Sequence, residues 1–203
     1  MKPQKVSSSA SSTFVARSAS PGSRLRMSSI CEGNTFRPQR PSAQLRDYGR
    51  DDRWAVLHLL SFLPDLYPGG ERWLETSLRS VDPCLRPVRL AELGGRIVGI
   101  SIFKVRDSAR AKLSTIWVAP EARGRRVGSL LLDDAVKRAE RLALDSVTIT
   151  VRDRLDPQIR PLLTRYRFHR EAIESNRYGR GAHEVIWLWR KERRPLLSPP
   201  AIR

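Results

Sequence analysis

A strand-like run ends in Ala119-Pro120, and a helix-like run begins near Val127. Between and across them the chain reads Glu121-Ala122-Arg123-Gly124-Arg125-Arg126-Val127-Gly128-Ser129. These residue types suit one kind of chemistry. Glycines at a strand-to-helix turn let the main chain come close to a bulky anion. The helix that follows leaves its first N–H groups unpaired, and its dipole favours negative charge there. Arg123, Arg125 and Arg126 add guanidinium forks that match phosphate oxygens. Residues 123–129 therefore read as a diphosphate cradle, although Gly-rich turns of this kind also serve packing alone. Two other phosphate motifs are excluded: the chain has no Gly-Lys-Ser/Thr as a P-loop requires, and no G-x-G-x-x-G dinucleotide fingerprint.

The elements that must position this loop follow from periodicity. Gln44 to Asp52 holds a short first strand, with Asp51 or Asp52 as a helix N-cap. Trp54, Leu57, Leu60 and Leu63 recur at helical spacing, "PDLYPGG" ends that helix, and "ERWLETSLRS" is a second, shorter one. "LRPVRLAEL" and "RIVGISIFKVR", joined by Gly94-Gly95, read as a hairpin. In its second strand Val98, Ile100 and Ile102 share one face, and Ile97, Phe103 and Val105 share the other. Apolar residues on both faces mark a central strand covered on both sides. "RAKLSTIWVAP" is a further strand. In the helix from Val127, the residues Leu131, Ala135, Ala139 and Leu142 continue a stripe that Leu132, Val136 and Ala143 widen. Asp133 with Lys137, and Asp134 with Arg138, stand at i, i+4 on its polar face. "DSVTITV" is a short buried strand, "DPQIRPLLTRY" a short helix weakened by Pro161, and "FHREAI" and "HEVIWLWR" two closing strands. Trp187 and Trp189 share a face of the last strand, which reads as an edge. They serve packing or a subunit contact, hence a possible homodimer. The periodicities thus give a mixed α/β fold with no internal repeat.

Composition bounds the rest. With 203 residues, 40% of them hydrophobic, the chain can bury one core and hardly two. Residues 1–43 are Ser- and Arg-rich with no periodicity, and Glu32 is the only acidic residue before Asp47. They read as a disordered tail, a transit-peptide-like leader, or an extension ahead of a true start at Met27. The folded domain spans 44–192, and 193–203 is a Pro-rich tail. The formal charge of +17 admits nucleic-acid binding. Arg outnumbers Lys 32 to 6, however, and is spread over the whole chain without a block of five like charges, as codon bias would also produce. A phosphate-bearing small ligand suits the charge equally well. No apolar run is long enough to span a membrane. Cys31 and Cys84 form no metal or disulfide framework, and His58, His169 and His183 lack ligand spacing, so no metal is expected. The reading is a reducing, cytoplasmic location. The three histidines read as structural.

"LSTIWVAPEARGRRVGSLLLDDAV" resembles the acetyl-CoA-binding motif of the GCN5-related N-acetyltransferases, whose loop reads Arg/Gln-x-x-Gly-x-Gly/Ala after a strand ending in V-x-P. That pattern falls on Arg123, Gly124, Arg125, Arg126, Val127 and Gly128, with Arg126 in place of the first family glycine. The strand order resembles the family's too, over roughly 44–192. The resemblance implies a mostly antiparallel central sheet with one splayed parallel strand pair and helices on both faces. It implies acetyl-CoA lying between "LSTIWV" and "SVTITV". The main chain of Ile116, Trp117 and Val118 would pair with the pantetheine arm, and N–H groups from Arg123 to Ser129 would hold the pyrophosphate.

The same resemblance implies an N-acetyltransferase in which an acceptor amine attacks the thioester directly. A backbone N–H near Val118 would stabilise the oxyanion. The family's usual proton donor is a Tyr in L-Y-x-x-x-G-F. Here Leu163 holds the Tyr position and Arg167 the Gly position, which leaves Tyr166, three residues on, as the candidate acid; solvent could also protonate the thiolate. Glu92 is the candidate base, and Glu121 is a second carboxylate suggested by position alone. Ser114 and Thr115 read as sheet filler or as residues that order a water. The acceptor is an amine on a small molecule, a peptide or an RNA-linked group. Two other functions remain open: a non-catalytic CoA-binding regulator, and a basic nucleic-acid-binding protein.

Overall fold

The strand and helix periods sort into one sheet with a helical layer on each side. The structure, a computed structural model, describes residues 42–192, so the expectations for 1–41 and 193–203, Cys31 included, lie outside the described residues. The strands are β1 (Gln44–Asp47), β2 (Val88–Leu93), β3 (Arg96–Val105), β4 (Arg110–Val118), β5 (Ser146–Arg152), β6 (His169–Glu174) and β7 (Glu184–Arg190), in the order β1-β2-β3-β4-β5-β7-β6. Every neighbouring pair is antiparallel except β4–β5, which is parallel. The mixed α/β architecture with one parallel pair is the one expected.

One face carries α1 (Arg53–Leu59), α2 (Leu63–Leu66) and α3 (Gly70–Arg79). Val56, Leu60, Leu63, Leu74 and Leu78 bury against Val88, Leu90, Ile100 and Ile102. The other face carries α4 (Val127–Arg141) and α5 (Asp156–Arg165). There Leu132, Ala135, Ala139 and Leu163 pack on Phe103, Leu113, Val147, Ile149, Val185 and Trp187. Full burial of each large aliphatic side chain contributes about 1.5–3 kcal/mol, so the two faces together anchor the sheet.

Several local readings need correction. The first helix is two pieces, and its buried line is Val56, Leu60 and Leu63; Trp54 is 77% exposed and His58 also faces solvent. Asp52 does not cap α1 through its side chain. It accepts from Gly49 N–H at 2.8 Å and from Arg46 at 2.7 and 2.8 Å. In β3 a bulge opposite Ala91/Glu92 exchanges two faces. Ile97 joins Ile100 and Ile102, while Val98 joins Val127 and Leu131. Asp133–Lys137 forms at 2.7 Å, but Asp134 turns to Arg89 at 3.5 Å and Arg138 to the Pro83 carbonyl at 3.0 Å. Strand β7 is interior, between β5 and β6, so Trp187 and Trp189, 4% and 6% exposed, are core residues and no subunit contact. Trp187 Nε1 donates to the buried Asp156 carboxylate at 2.8 Å, and Arg160 donates to the same carboxylate at 2.6 Å.

The stripe of α4 stops short of Leu142 and Ala143, both exposed. Ala143 adopts φ 55°, and Leu144 N–H bonds back to Ala139 O at 3.0 Å, a Schellman ending. Arg167 ends α5 the same way, at φ 62° with Phe168 N–H on Leu163 O at 3.0 Å. A side chain in this left-handed region costs about 1–2 kcal/mol, of which glycine's extra unfolded-state entropy cancels roughly half. Ala143→Gly and Arg167→Gly are therefore each expected to raise stability by about 0.5–1 kcal/mol. The check is the urea midpoint at unchanged m-value, and an unchanged or lower midpoint would contradict the cap geometry.

Candidate active site

Parallel pairing of β4 and β5 runs only from Arg110↔Ser146 to Leu113↔Ile149. Beyond that point each strand keeps its other neighbour. β4 stays on β3 as far as Val118, and β5 stays on β7 as far as Arg152. Ser114 to Val118 and Thr150 to Arg152 thus border an opening through the sheet, and a cleft of about 1120 Å³ occupies it. Its α4/α5 side is lined by the 123–129 loop and by Leu155, Gln158, Ile159 and Leu162.

The loop presents what an anion needs. Arg126 sits at φ 63° as the N-cap of α4, with no side-chain cap. The first intrahelical bond is Leu130 N–H to Arg126 O at 3.0 Å, which leaves the N–H groups of Val127, Gly128 and Ser129 without an acceptor in the helix. Gly124 has φ 73°, so the turn itself asks for glycine. At Gly128 an added Cβ would come within 3.1 Å of the Leu162 side chain, so the glycine lets α5 close on the start of α4.

The structure brings together Ile116, Trp117, Val118, Arg123, Gly124, Arg126, Val127, Gly128 and Ser129 along this cleft and leaves Arg125 exposed outside it. Arg123 is partly engaged already. Its guanidinium lies 5.0 Å over the Trp117 ring, with Nε on Val118 O at 3.3 Å and Nη1 on Gln158 at 3.4 Å. Ser114 and Thr115, read as sheet filler, line the opening.

The two residues proposed for proton transfer lie elsewhere. Tyr166 is not in the cleft lining; its hydroxyl donates to Ser129 O at 2.9 Å and ties the end of α5 to the start of α4. Glu92 sits on β2 in a 2.8 Å ion pair with Arg46, also away from the cleft. Glu121 and His169 are exposed, and His183 is half-buried outside the lining. Among the described residues no group of three His, Cys, Asp or Glu could hold a metal, and no helix is long and apolar enough to cross a membrane.

Sequence reasoning missed the carboxylate that the cleft does contain. Glu184 is 1% exposed and lines it from β7. Its strand carried the signal: Val185, Trp187 and Trp189 alternate into the α4/α5 core, so Glu184 must face the other side. Burial raises the Glu184 pKa against the pull of Lys112 on β4, Arg177 in the β6–β7 connection and Arg152 on β5, with Glu174 of β6 adding to the rise. Burial likewise lowers the Lys112 pKa and pushes the Tyr67 hydroxyl up to about 12, with Glu184 contributing to the latter.

A carboxyl group whose folded pKa is raised binds its proton more tightly in the folded state. Its ionisation therefore costs stability as pH rises above 4.5, the ordinary value. Glu184→Gln removes that cost. The stability difference, variant minus parent, is expected to grow as pH rises from 4.5 toward neutrality. Urea unfolding of both proteins across that range checks the sign, and a difference that shrinks would show the buried carboxylate to be favourably paired.

Solved structures share this fold. Ard1 from Thermoplasma volcanium matches at 18% identity with a TM-score of 0.65, over 75% of this chain and 99% of that one. A GNAT family acetyltransferase from Elizabethkingia anophelis with acetyl-CoA bound matches at 14% and 0.58, over 74% and 99%. The ribosomal-protein-S18-alanine N-acetyltransferase from Escherichia coli matches at 18% and 0.59, over 73% and 93%. No curated protein matches the chain in sequence. The sequence profile described as the Acetyltransferase (GNAT) family matches residues 53–166, more than half of the 203. The loop, the parted strands and this match lead to one conclusion: the chain belongs to the GNAT acetyltransferase family.

Proposed function

We propose that the protein transfers an acetyl group from acetyl-CoA to the amine of an acceptor. The observation that carries this reading is the opening between β4 and β5, with three unpaired N–H groups of α4 at its edge. The residues present fit the cofactor. The N–H groups of Val127, Gly128 and Ser129 would hold its pyrophosphate, helped by the dipole of a 15-residue helix and the adjacent Arg126. The main chain of Ile116, Trp117 and Val118, unpaired toward β5, would take the pantetheine arm as an added strand. When bound, acetyl-CoA supplies a thioester whose acyl carbon bonds to the acceptor nitrogen as its C–S bond breaks.

The chain's own residues do the remaining work. The two helices flanking the opening are held together by Tyr166 and Ser129, so the N–H cradle does not drift from the strand ends. A thiolate is a good leaving group and needs no protein acid, which is consistent with Tyr166 acting as a positioning residue.

Thermal unfolding of the full chain tests the cofactor site. Acetyl-CoA at ~100 times its dissociation constant is expected to add about 2.7 kcal/mol, a shift of roughly 5–10 °C for a domain of this size. Arg126→Glu, which alters an exposed side chain and no packing, is expected to remove most of that shift. Gly128→Glu is expected to abolish it, at some cost to the Leu162 contact. Thiol release in the presence of an amine then separates an enzyme from a CoA-binding regulator. No shift in the parent protein would overturn the reading.

A further inference from the structure

The half of the cleft on the α1–α3 face has a chemistry that the acetyl-CoA reading does not use. Among the described residues Glu184 is the only carboxylate in the cleft lining, which on this side also carries Arg86, Lys104, Arg106, Lys112 and Arg152. Lys104 and Lys112 are direct cross-strand partners on β3 and β4. Like charges so placed repel, and an anion between them would reverse the sign. Arg152 and Glu184 are partners on β5 and β7, yet they make no ion pair with each other. Arg152 Nε and Nη1 are buried with no hydrogen-bond partner among the described residues. Glu184 Oε2 is equally unpartnered, lying 3.5 Å from Arg177 Nε without hydrogen-bond geometry. Buried polar atoms left this way are costly unless something else meets them. Tyr67 and Tyr178, edge to face at 5.1 Å, also line this cleft.

We propose that this half of the cleft is an acceptor site for a small amine that also carries a carboxylate or phosphate, with Glu184 receiving the ammonium end and Lys104, Lys112 and Arg152 the anionic end. The proposal rests on the acetyltransferase reading. One ammonium proton passes to Glu184. The freed nitrogen bonds to the acyl carbon as the C–S bond breaks, and the second amine proton leaves with the sulfur as thiol. Glu184 then returns its proton to solvent. The raised pKa of Glu184 brings it nearer the pH at which a base works well.

The test uses the full chain, saturating acetyl-CoA and thiol release. The probe amines are O-phosphoethanolamine and β-alanine (anionic), butylamine (uncharged tail), putrescine (cationic) and a short peptide with a free N-terminus and acidic side chains. At least one anionic amine is expected to show kcat/KM ~10-fold or more above butylamine and putrescine, as one extra charge-assisted contact would give. That advantage is expected to shrink with added salt. The better of the two anionic amines identifies the oxyanion. Lys104→Met is expected to raise KM for the anionic amine by a larger factor than for butylamine. Glu184→Gln is expected to lower kcat about 100-fold and to remove the acidic limb of the pH–rate profile, with the acetyl-CoA thermal shift intact. Preference for putrescine, turnover of the peptide alone, no turnover of either anionic amine, or full kcat and an unaltered pH profile in Glu184→Gln would each overturn the proposal. Loss of the acetyl-CoA shift in the parent protein would instead sink the enzyme reading on which it rests.

Discussion

The parting of β4 from β5 after Leu113 and Ile149 is the constraint on which the site depends. Two parallel strands pair for four residues and then part, each keeping its other neighbour. β3 keeps β4 through Val118, and β7 keeps β5 through Arg152. Main-chain groups along the gap are left facing one another without a ladder, which a soluble sheet avoids unless helices or a ligand cover them. Here the helices hold the gap open. The first turns of α4 bury Val127 and Leu131 over β2 and β3, and its later turns bury Leu132, Ala135 and Ala139 over the paired part of β4 and β5. Helix α5 is fixed at its start by the Asp156–Trp187 hydrogen bond and at its end by Tyr166 on Ser129. Removing the Asp156 carboxylate would leave the buried indole N–H of Trp187 unpaired, at about 1–3 kcal/mol. It would also free one wall of the cleft.

The glycine positions show how far the sequence can depart from the family pattern without changing the backbone. Arg126 and Arg167 stand where the family motifs carry glycine, and both keep the left-handed φ that glycine would supply, at 63° and 62°. The backbone penalty is accepted in each case, and both side chains project to solvent. At the end of α5 the helix still closes and Phe168 still reaches the core. At the start of α4 the three N–H groups stay unpaired and a cation is added beside them. The departure is in charge and not in shape, so the motif remains readable with one glycine missing.

Local pattern made α4 and its loop legible, since a 15-residue stripe and a Gly-containing turn need no tertiary information. The order of strands and the two-sided burial of β3 were legible for the same reason. What was not legible depended on register or on the neighbouring element. Trp54 has the right spacing for a buried stripe, but the helix breaks after Leu59 and rotates the buried line onto Val56 and Leu60. Trp187 and Trp189 alternate as an edge strand would, and only the sheet order shows β6 outside them. Tyr166 was chosen as the tyrosine three residues from the family's Tyr position and Glu92 by its position at a strand end, and the fold puts neither in the cleft lining. Glu184 was passed over because it opens a strand dominated by aromatic residues. Its phase opposite Val185 already placed it on the other face, but not beneath which helices.

Glu184 and the cations near it also bear on the charge of the whole chain. A formal +17 spread along the whole chain is consistent with composition alone. Lys104, Lys112 and Glu184 lining one sheet opening are not, because burial opposes the charge of each. It lowers the pKa of Lys104 and Lys112 and raises that of Glu184, so the charged forms are held against their solvation preference. Selection for stability alone would exchange such residues for apolar ones of similar size, as buried ion clusters generally tolerate. Their place in the lining of the opening between β4 and β5 is consistent with function as the reason for keeping them.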